Sequence, residues 1–412
     1  MVIAGVGLVA ACVAIARLPN LAETPGRFLV LFSLAFFCYA AGIWWLPSGS
    51  GSRGVIFVVT VGVVARLALL SSLPTLSTDA YRYVWDARVA HAGVSPYAYA
   101  PWAKELESLR DTSVFPRLNH PTWRTIYPPG AQTFFQFVYR VRPDSVRAMK
   151  LAVGLVELIG VATVFGLLRA GGRPLSQAVV YVWNPLVLVE IWGMAHVDGI
   201  VVPAVAGAAW MAVRGKHVMA GALFGAGALI KLYPAALILL LPIAAWPVAF
   251  ASSGAIVLAG YAPAMLSGTA TLGSLPRYLS EEYFNVGVVR SLVQSPAVSV
   301  AAAAAWVMIL STLRRDRALP TRAVALIGGL VLLSPNIFPW YAVWLVPFLA
   351  WSPSVPWIAF TGTVVFAYAF FLGDPWAIPG WARALEFTPL ALGLVWWCAR
   401  WIAGHFSREH ST

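Results

Sequence analysis

The chain has 412 residues, of which 60% are hydrophobic and only 11% are charged, with a formal net charge of +12. Soluble globular domains have about 45–50% apolar and about 25% charged residues, so this composition excludes an ordinary water-soluble enzyme. The three cysteines, Cys12, Cys38 and Cys398, lie in apolar runs, which argues against a disulfide scaffold or a zinc site. The remaining class is an all-α, polytopic membrane protein.

Apolar runs that meet or approach the length of a spanning helix, about 20 residues, predict about 13–14 membrane helices. In chain order they are 2–16, 28–46, 54–72, 148–168, 175–193, 198–213, 217–233, 234–250, 252–267, 292–313, 320–338, 340–352, 354–373 and 380–404. The first run has an uncharged N-terminal flank and no small-residue cleavage site before Arg17, so we expect a retained span rather than a signal peptide.

The positive charge indicates orientation in a membrane rather than a nucleic-acid partner. Four short hydrophilic segments between or after the apolar runs are basic, and all four are expected on one side of the predicted bundle. By the positive-inside rule that side is cytoplasmic. The segments contain Arg169 with Arg173, Arg214 with Lys216, Arg314, Arg315 and Arg317 with Arg322, and Arg400 with Arg408. This count requires 127–141 to be a re-entrant or interfacial helix rather than a full crossing. The extracytoplasmic face then receives loops 73–147 and 268–291 and the turns at 334–341 and 374–376.

A short helix is predicted from Asp79 to Ala92, capped by Ser77 or Thr78 and ended by Gly93. Its Trp and Tyr residues are typical of an amphipathic helix at the membrane interface. Asp79 directly follows a span, near the lipid headgroups, where a carboxylate can accept a proton from an attacking hydroxyl. The alternative is that Asp79 only stabilises the helix dipole. Asp86 is expected to lie on a solvated helix face or to form a salt bridge.

Ionisable residues at membrane depth are functional candidates because they are costly to place there. Lys231 lies at the end of a span just before Pro234, where its ammonium can hold a phosphate or can simply snorkel. His196 and Asp198 are too few for a metal site and are better explained as a hydrogen-bonded pair that shapes a sugar pocket. Arg66 and Glu157 lie inside spans, and the first interpretation is a structural ion pair or snorkelling.

The later outer segments add further candidates. Arg290 opens a span and can bind an anionic headgroup or anchor the interface. The corner at 334–341 contains Trp340 and Tyr341, which suit stacking on sugar rings but are also typical of an aromatic belt. Walker, dinucleotide-binding, HExxH and GxSxG motifs are absent from the sequence, so a nucleotide-dependent enzyme is unsupported.

A series of loose motifs resembles the polyprenyl-phosphate-mannose-dependent mannosyltransferases of glycosyltransferase family 87, which have the GT-C fold. The stretches that carry the resemblance are TDAYRYVWDARVAHAGVSPYAYAP at 78–101, TIYPPGAQ at 125–132, WNPLVLVEIWGMAHVDG at 183–199, LIKLYP at 229–234, YFNVGVVRSL at 283–292 and LSPNIFPWYAVW at 333–344. Individually they are weak, but together they occur in the expected order from about residue 54 onward.

The resemblance implies an inverting transfer of a hexose, mannose above all, from a polyprenyl-phosphate sugar to a glycolipid or glycan acceptor at the extracytoplasmic face of the plasma membrane. It implies Asp79 as the general base, no cofactor and no divalent metal. Lys231, Arg290 and Arg82 are then the candidates for binding the donor phosphate. The candidates for binding sugar or acceptor are Tyr83, Asp86, Tyr127, His196, Asp198, Asn285, Trp340 and Tyr341.

The chain departs from the family pattern at Phe338, where a His often precedes Pro-Trp-Tyr, so no role of that His transfers. The expected division is extra membrane helices at 1–53, a GT-C core at 54–290 and helices that complete the cavity at 291–412. The alternative function is a secondary transporter or lipid flippase, but the sequence shows no convincing internal repeat and its charges lie at span ends.

Overall fold

The computed structural model of the protein describes residues 1–409 except 46–50, 267, 269, 270 and 314, and it describes no side chains for 397, 398 and 400–409. Arg314 and the side chains of Cys398, Arg400 and Arg408, used in the sequence arguments above, therefore lie outside the described residues. Within them, strand pairing is limited to one isolated bridge between Val286 and Asn336. The chain is an all-α protein, as predicted.

Nineteen α-helices follow one another along the described chain: α1 (Val2–Ala16), α2 (Pro25–Trp45), α3 (Ser52–Leu70), α4 (Asp79–His91), α5 (Pro129–Val141), α6 (Val146–Ala170), α7 (Val179–Val182), α8 (Pro185–Val187), α9 (Asp198–Val213), α10 (His217–Ala228), α11 (Pro234–Leu237), α12 (Trp246–Leu266), α13 (Leu275–Glu281), α14 (Val288–Val293), α15 (Pro296–Thr312), α16 (Leu319–Leu333), α17 (Val346–Trp351), α18 (Val355–Thr363) and α19 (Gly380–Glu409). Tighter 3-10 segments extend several of them, such as Pro339–Leu345 before α17 and Val364–Leu372 after α18, and Leu188–Gly193 forms a π-helix.

Five helical segments within the described chain are long and apolar enough to cross a membrane: Pro25–Trp45, Ser52–Leu70, Val146–Ala170, Ile243–Leu266 and Val355–Leu372. The pair Leu175–Val182 and Pro185–Gly193, bent by 49°, gives a sixth, and five further apolar helices are shorter. The protein is thus a multi-pass membrane protein. Fewer segments pass this length test than the 13–14 helices expected, because prolines and 3-10 turns break several apolar runs into short pieces.

One boundary was predicted wrongly. The runs 234–250 and 252–267 were expected to be two spans of similar length, but α11 and its 3-10 extension end at Leu240, and one long segment occupies Ile243–Leu266. The break lies at Pro242, which cannot donate a backbone hydrogen bond to a continuing helix. By contrast, 127–141 forms the 13-residue α5, whose length of about 20 Å is shorter than the hydrocarbon core of a bilayer.

The helix α4 was expected to lie at the membrane interface, but nine of its thirteen residues are buried. The ring of Tyr83 stacks on Phe135 of α5 with centroids 4.4 Å apart. The guanidinium of Arg88 binds Asp111 at 3.1 Å and Asp144 at 2.7 Å. Loop 73–147 is therefore a packed layer over the bundle, and α5, with Phe137 exposed and Phe135 buried, is its amphipathic helix.

The N-terminal helices pack into the same bundle as the rest of the chain. The hydroxyl of Tyr39 in α2 donates to the carbonyl of Val180 at 2.9 Å, and the amide of Leu21 donates to the hydroxyl of Thr75 at 2.9 Å. Arg66 and Glu157 form the structural ion pair predicted for them, with an N–O distance of 2.7 Å and both side chains buried. Arg66 also donates to the carbonyl of Val182 at 2.7 Å, and the indole of Trp192 donates to Glu157 at 2.9 Å, so α2, α3 and α6 all contact the broken segment 175–193.

Basic residues next to the helix ends pack on aromatic rings or donate to backbone carbonyls. The guanidinium of Arg173 lies 5.1 Å from the ring of Trp351, and that of Arg315 lies 5.4 Å from the ring of Trp246. Arg322 donates to the carbonyl of Leu240 at 2.9 Å. The common cytoplasmic side expected for the four basic segments stays a prediction.

Candidate active site

A cavity of about 410 Å³ lies where loop 73–147 meets the ends of several bundle helices. Of the residues singled out from the sequence, Asp79, Arg82, Tyr127, Lys231 and Trp340 line it. They come from three separate parts of the chain, so the fold brings together residues that the sequence only suggested one by one.

Asp79 is the first residue of α4 and is partly buried, with its carboxylate facing the cavity. The side-chain amide of Asn119 donates to its Oδ1 at 2.5 Å. Burial raises the pKa of Asp79, while the nearby ammonium of Lys231 and side-chain hydrogen bonds from Asn119 and Tyr127 partly offset that rise. A carboxylate with a raised pKa that remains tied to donors is suited to accept a proton.

Lys231 lies in the turn between α10 and α11, with its side chain 21% exposed. Its Nζ is 3.6 Å from the buried carboxylate of Asp198 and 5.4 Å from the ring of Tyr341. Asp198 in turn accepts a hydrogen bond of 2.5 Å from the indole of Trp344. Asp198, which Trp344 holds in place, and the ring of Tyr341 therefore hold an ammonium at the cavity wall.

Arg82 has most of its donors occupied by protein groups. It binds Asp86 at 2.8 Å and donates to the carbonyls of His120 and Trp123. Asp86 also accepts from Gln132 at 3.0 Å and is buried, so the salt-bridged interpretation holds for it and the solvated one does not. The pair fixes the backbone of segment 119–123 beside Asp79.

The structure does not bring Arg290 into the cavity. Its guanidinium donates to the carbonyls of Glu282 and Ser280 and to the side chain of Asn336, so it braces the outer loop instead of facing a phosphate. Asn285 does not line the cavity either, although its neighbour Phe284 does, because its buried side chain donates to Glu386 and accepts from Arg383.

Three other candidates lie behind the lining residues. The hydroxyl of Tyr83 accepts from the amide of Val197 at 3.4 Å, and its ring packs against Tyr127. His196 is fully buried with its ring 3.8 Å from that of Trp340, and burial lowers its pKa well below the ordinary value. The predicted hydrogen bond between His196 and Asp198 was wrong, because neither ring nitrogen of His196 has a hydrogen-bond partner among the described residues. Tyr341 shares a hydrogen bond of 2.8 Å with Tyr278, which does line the cavity.

Sequence reasoning missed several lining residues in the two outer loops. His120 binds Glu282 across the cavity mouth, with Nε2 2.8 Å from Oε2, and stacks on Trp123. Burial raises the pKa of Glu282, but His120 and two backbone amides outweigh that effect and hold it below its usual value. Asn119 and Arg124 were also missed, although the clustering of polar residues in RLNHPTWR was a usable signal.

One wall of the cavity is aromatic and apolar. Phe338, at the position where the family pattern has His, stacks on Phe284 with centroids 5.5 Å apart and on Trp340 at 4.5 Å. Phe371 and Trp376 continue the wall. The cavity therefore has a charged side, with Asp79 and Lys231, and an apolar side, which suits an amphiphilic ligand.

The helices and this cavity define a polytopic α-helical membrane protein with a candidate active site at one end of its bundle. The family model described as "Alpha-(1->6)-mannopyranosyltransferase, N-terminal domain" matches residues 26–250, more than half of the chain. The chain belongs to this family, which confirms the resemblance seen in the sequence motifs.

A curated relative, alpha-(1->6)-mannopyranosyltransferase A of Mycobacterium tuberculosis (strain ATCC 25618 / H37Rv), is 26% identical over 186 residues. The alignment covers 42% of this chain and 35% of the relative, so about a third of that protein's length is matched. The family match begins within α2, before the core that the sequence motifs outlined at 54–290.

Proposed function

We propose that this protein is a membrane glycosyltransferase that moves a mannosyl group from a polyprenyl-phosphate donor to a glycolipid or glycan acceptor. The observation that carries the proposal is that Asp79 and Lys231 face one cavity that also has an aromatic wall. The family membership and the printed name of the relative support the mannosyl group. The four basic segments of the sequence, interpreted by the positive-inside rule, support an extracytoplasmic site in the plasma membrane.

In this mechanism, the carboxylate of Asp79 accepts the proton of an acceptor hydroxyl while its oxygen attacks the anomeric carbon. The bond between that carbon and the phosphate oxygen breaks, and the polyprenyl phosphate leaves with the electron pair. Attack opposite to the leaving group inverts the anomeric centre. Because the acceptor proton goes to Asp79 and the negative charge goes to the leaving phosphate, the step is balanced.

Lys231 is the cation that stabilises the charge on the departing phosphate. Preorganised charge of this kind lowers the barrier because it acts where charge develops. Asp198 keeps the ammonium in place by partial pairing at 3.6 Å, a distance that leaves donors of Lys231 free for a phosphate. Arg82 contributes indirectly by fixing the segment that carries Asn119.

Trp340 and Tyr127, two aromatic residues that line the cavity, are proposed to contact the sugar. The first part of the lipid chain is proposed to contact Phe284, Phe371 and Trp376. His196 and Tyr341 are proposed to position Trp340 and Tyr278. These roles need only the contacts described above and no metal.

The test uses purified protein in nanodiscs with radiolabelled polyprenyl-phosphate mannose and an acceptor lipid extract. We expect transfer by the native protein, and Asp79→Asn should lose about 10²–10⁴-fold in rate because the base is removed. Glu105→Gln, which changes an exposed carboxylate of the same loop, is the matched control. Undiminished transfer by Asp79→Asn would disprove the base assignment, and no transfer from any polyprenyl-phosphate sugar would disprove the activity.

A further inference from the structure

A second, more open groove of about 520 Å³ lies beside the candidate active site. The residues that line it come from loop 73–147 and from the segment before α13: Ala98, Tyr99, Ala100, Thr122, Arg124, Gly273, Ser274, Pro276 and Arg277. Arg124 lines both the groove and the cavity that contains Asp79, so the two spaces adjoin at this side chain.

Backbone contacts between two loops build the groove. Gly273 has a positive φ of 52°, and a Cβ atom there would come within 1.8 Å of the carbonyl oxygen of Thr125. The amide of Ser274 donates to that same carbonyl at 3.3 Å. A side chain at position 273 would therefore separate the two loops, and the floor of the groove depends on glycine.

Among the described residues that line the groove, the charged ones are both arginines, so the charges of these side chains are positive. Arg277 is held by Glu281 at 2.6 Å and by Trp123, whose ring is 5.0 Å from the guanidinium. Arg124 has no hydrogen bond or ion pair with any residue that the structure describes. An arginine without a protein partner, next to one fixed in place, is suited to bidentate binding of a phosphate.

We infer that this groove binds the acceptor through a phosphate-bearing sugar or polyol, with Arg124 and Arg277 on the phosphate and the 40%-exposed ring of Tyr99 against the sugar. The inference rests on the proposed function and names the acceptor class of that site. Because Arg124 lines both spaces, a ligand bound in the groove adjoins the cavity in which Asp79 is the proposed base. The apolar wall of the cavity lies among other residues, so the donor lipid has a separate path.

A binding experiment tests the groove without requiring transfer. Mannose 6-phosphate and methyl α-mannoside are titrated against the protein in nanodiscs by saturation-transfer NMR. We expect the phosphorylated sugar to bind more tightly, and Arg277→Gln to weaken its binding about tenfold, in line with the loss of a charge-assisted hydrogen bond. Lys104→Gln removes one exposed positive charge from the same loop and should leave binding unchanged.

Three results would overturn the inference. One is equal binding of the neutral and phosphorylated sugars, and another is an equal effect of Arg277→Gln and Lys104→Gln. The third is binding that survives Arg277→Gln but is lost in Lys231→Gln, since it would place the phosphate in the main cavity. If the native protein transfers no sugar, the proposed function fails while the binding result still decides the groove.

Transfer kinetics give a second readout. With acceptor varied at saturating donor, Arg277→Gln should raise the acceptor KM about tenfold and leave the donor KM unchanged. Comparing a phospholipid acceptor with a water-soluble phosphorylated glycan distinguishes a lipid headgroup from a free glycan as the source of the phosphate. A change in the donor KM alone would contradict the assignment of the groove to the acceptor.

Discussion

The side-chain amide of Asn119 donates a hydrogen bond of 2.5 Å to the carboxylate of Asp79, which lies 40 residues earlier in the chain. This bond orients the proposed base toward the cavity from a loop that Arg82 holds through the carbonyls of His120 and Trp123. Asn119 is therefore a positioning residue whose loss should change the titration of Asp79 as well as the rate.

We expect Asn119→Ala to lower kcat about tenfold, the magnitude of losing one hydrogen bond to a charged group. The bond lowers the pKa of Asp79, so removing it raises that pKa further. Because the base acts when deprotonated, the acidic limb of the kcat/KM profile should move to higher pH. A pH–rate profile measures this, with Asn20→Ala as the control, and a lower rate with an unmoved profile would mean only a structural defect.

Removing the ammonium of Lys231 should affect both the donor and the base. Lys231→Met takes away the proposed phosphate contact, and we expect a loss in kcat of about 10²-fold or more. It also removes a charge that lowers the pKa of Asp79, so the acidic limb should again move to higher pH. Lys231→Arg keeps the charge and should recover part of both effects. Equal activity of the Met variant and the native protein would exclude Lys231 from the site.

The class of fold and two residues of the candidate site, Asp79 and Lys231, could be predicted from the sequence because both depend on local patterns. Asp79 follows an apolar span at a recognisable helix start, and Lys231 is conspicuous because it interrupts apolar sequence. The ion pair of Arg66 with Glu157 could be suggested for the same reason. Long apolar runs gave the multi-pass architecture, apart from the break at Pro242.

The remaining lining residues could not be predicted, because their positions depend on how two long loops fold on each other. His120 and Glu282 contact each other only in the folded protein, and no sequence pattern near either residue indicates this contact. Arg290 was misjudged for the opposite reason. Because Arg290 lies at a helix start, it was expected to bind an anion, but nearby backbone carbonyls already accept hydrogen bonds from its guanidinium. The burial of α4 likewise depends on loop packing rather than on its own pattern.

Gly273 should not tolerate a side chain. We expect Gly273→Ala to separate the outer loops, because its Cβ would overlap the carbonyl of Thr125, and because a positive φ is unfavourable for alanine. Transfer should fall and the acceptor KM should rise. Gly254→Ala is the control, since no atom lies within 4 Å of a Cβ there. Normal kinetics of Gly273→Ala would contradict the loop contact described above.

The buried pair of Arg66 and Glu157 should dominate the stability of the bundle centre. Glu157 binds Arg66 through both oxygens, at 2.7 and 2.9 Å, and accepts a further hydrogen bond from the indole of Trp192 at 2.9 Å. Glu157→Gln would leave the guanidinium as an uncompensated buried charge, at a cost of about 3–5 kcal/mol. We expect a clear fall in the Tm of the protein in detergent, whereas Glu23→Gln, at an exposed carboxylate, should have no effect.

The double variant Arg66→Met with Glu157→Met tests the same pair from the other direction. Because it removes both charges, it should unfold at a higher temperature than Glu157→Gln, even though it deletes more hydrogen bonds. The single variants Arg66→Met and Glu157→Met, together with the double variant, form a mutant cycle. Its coupling energy measures the interaction between the two charges. Additive effects, with no recovery in the double variant, would mean that the two charges are screened from each other and that packing around Trp192 carries the stability instead.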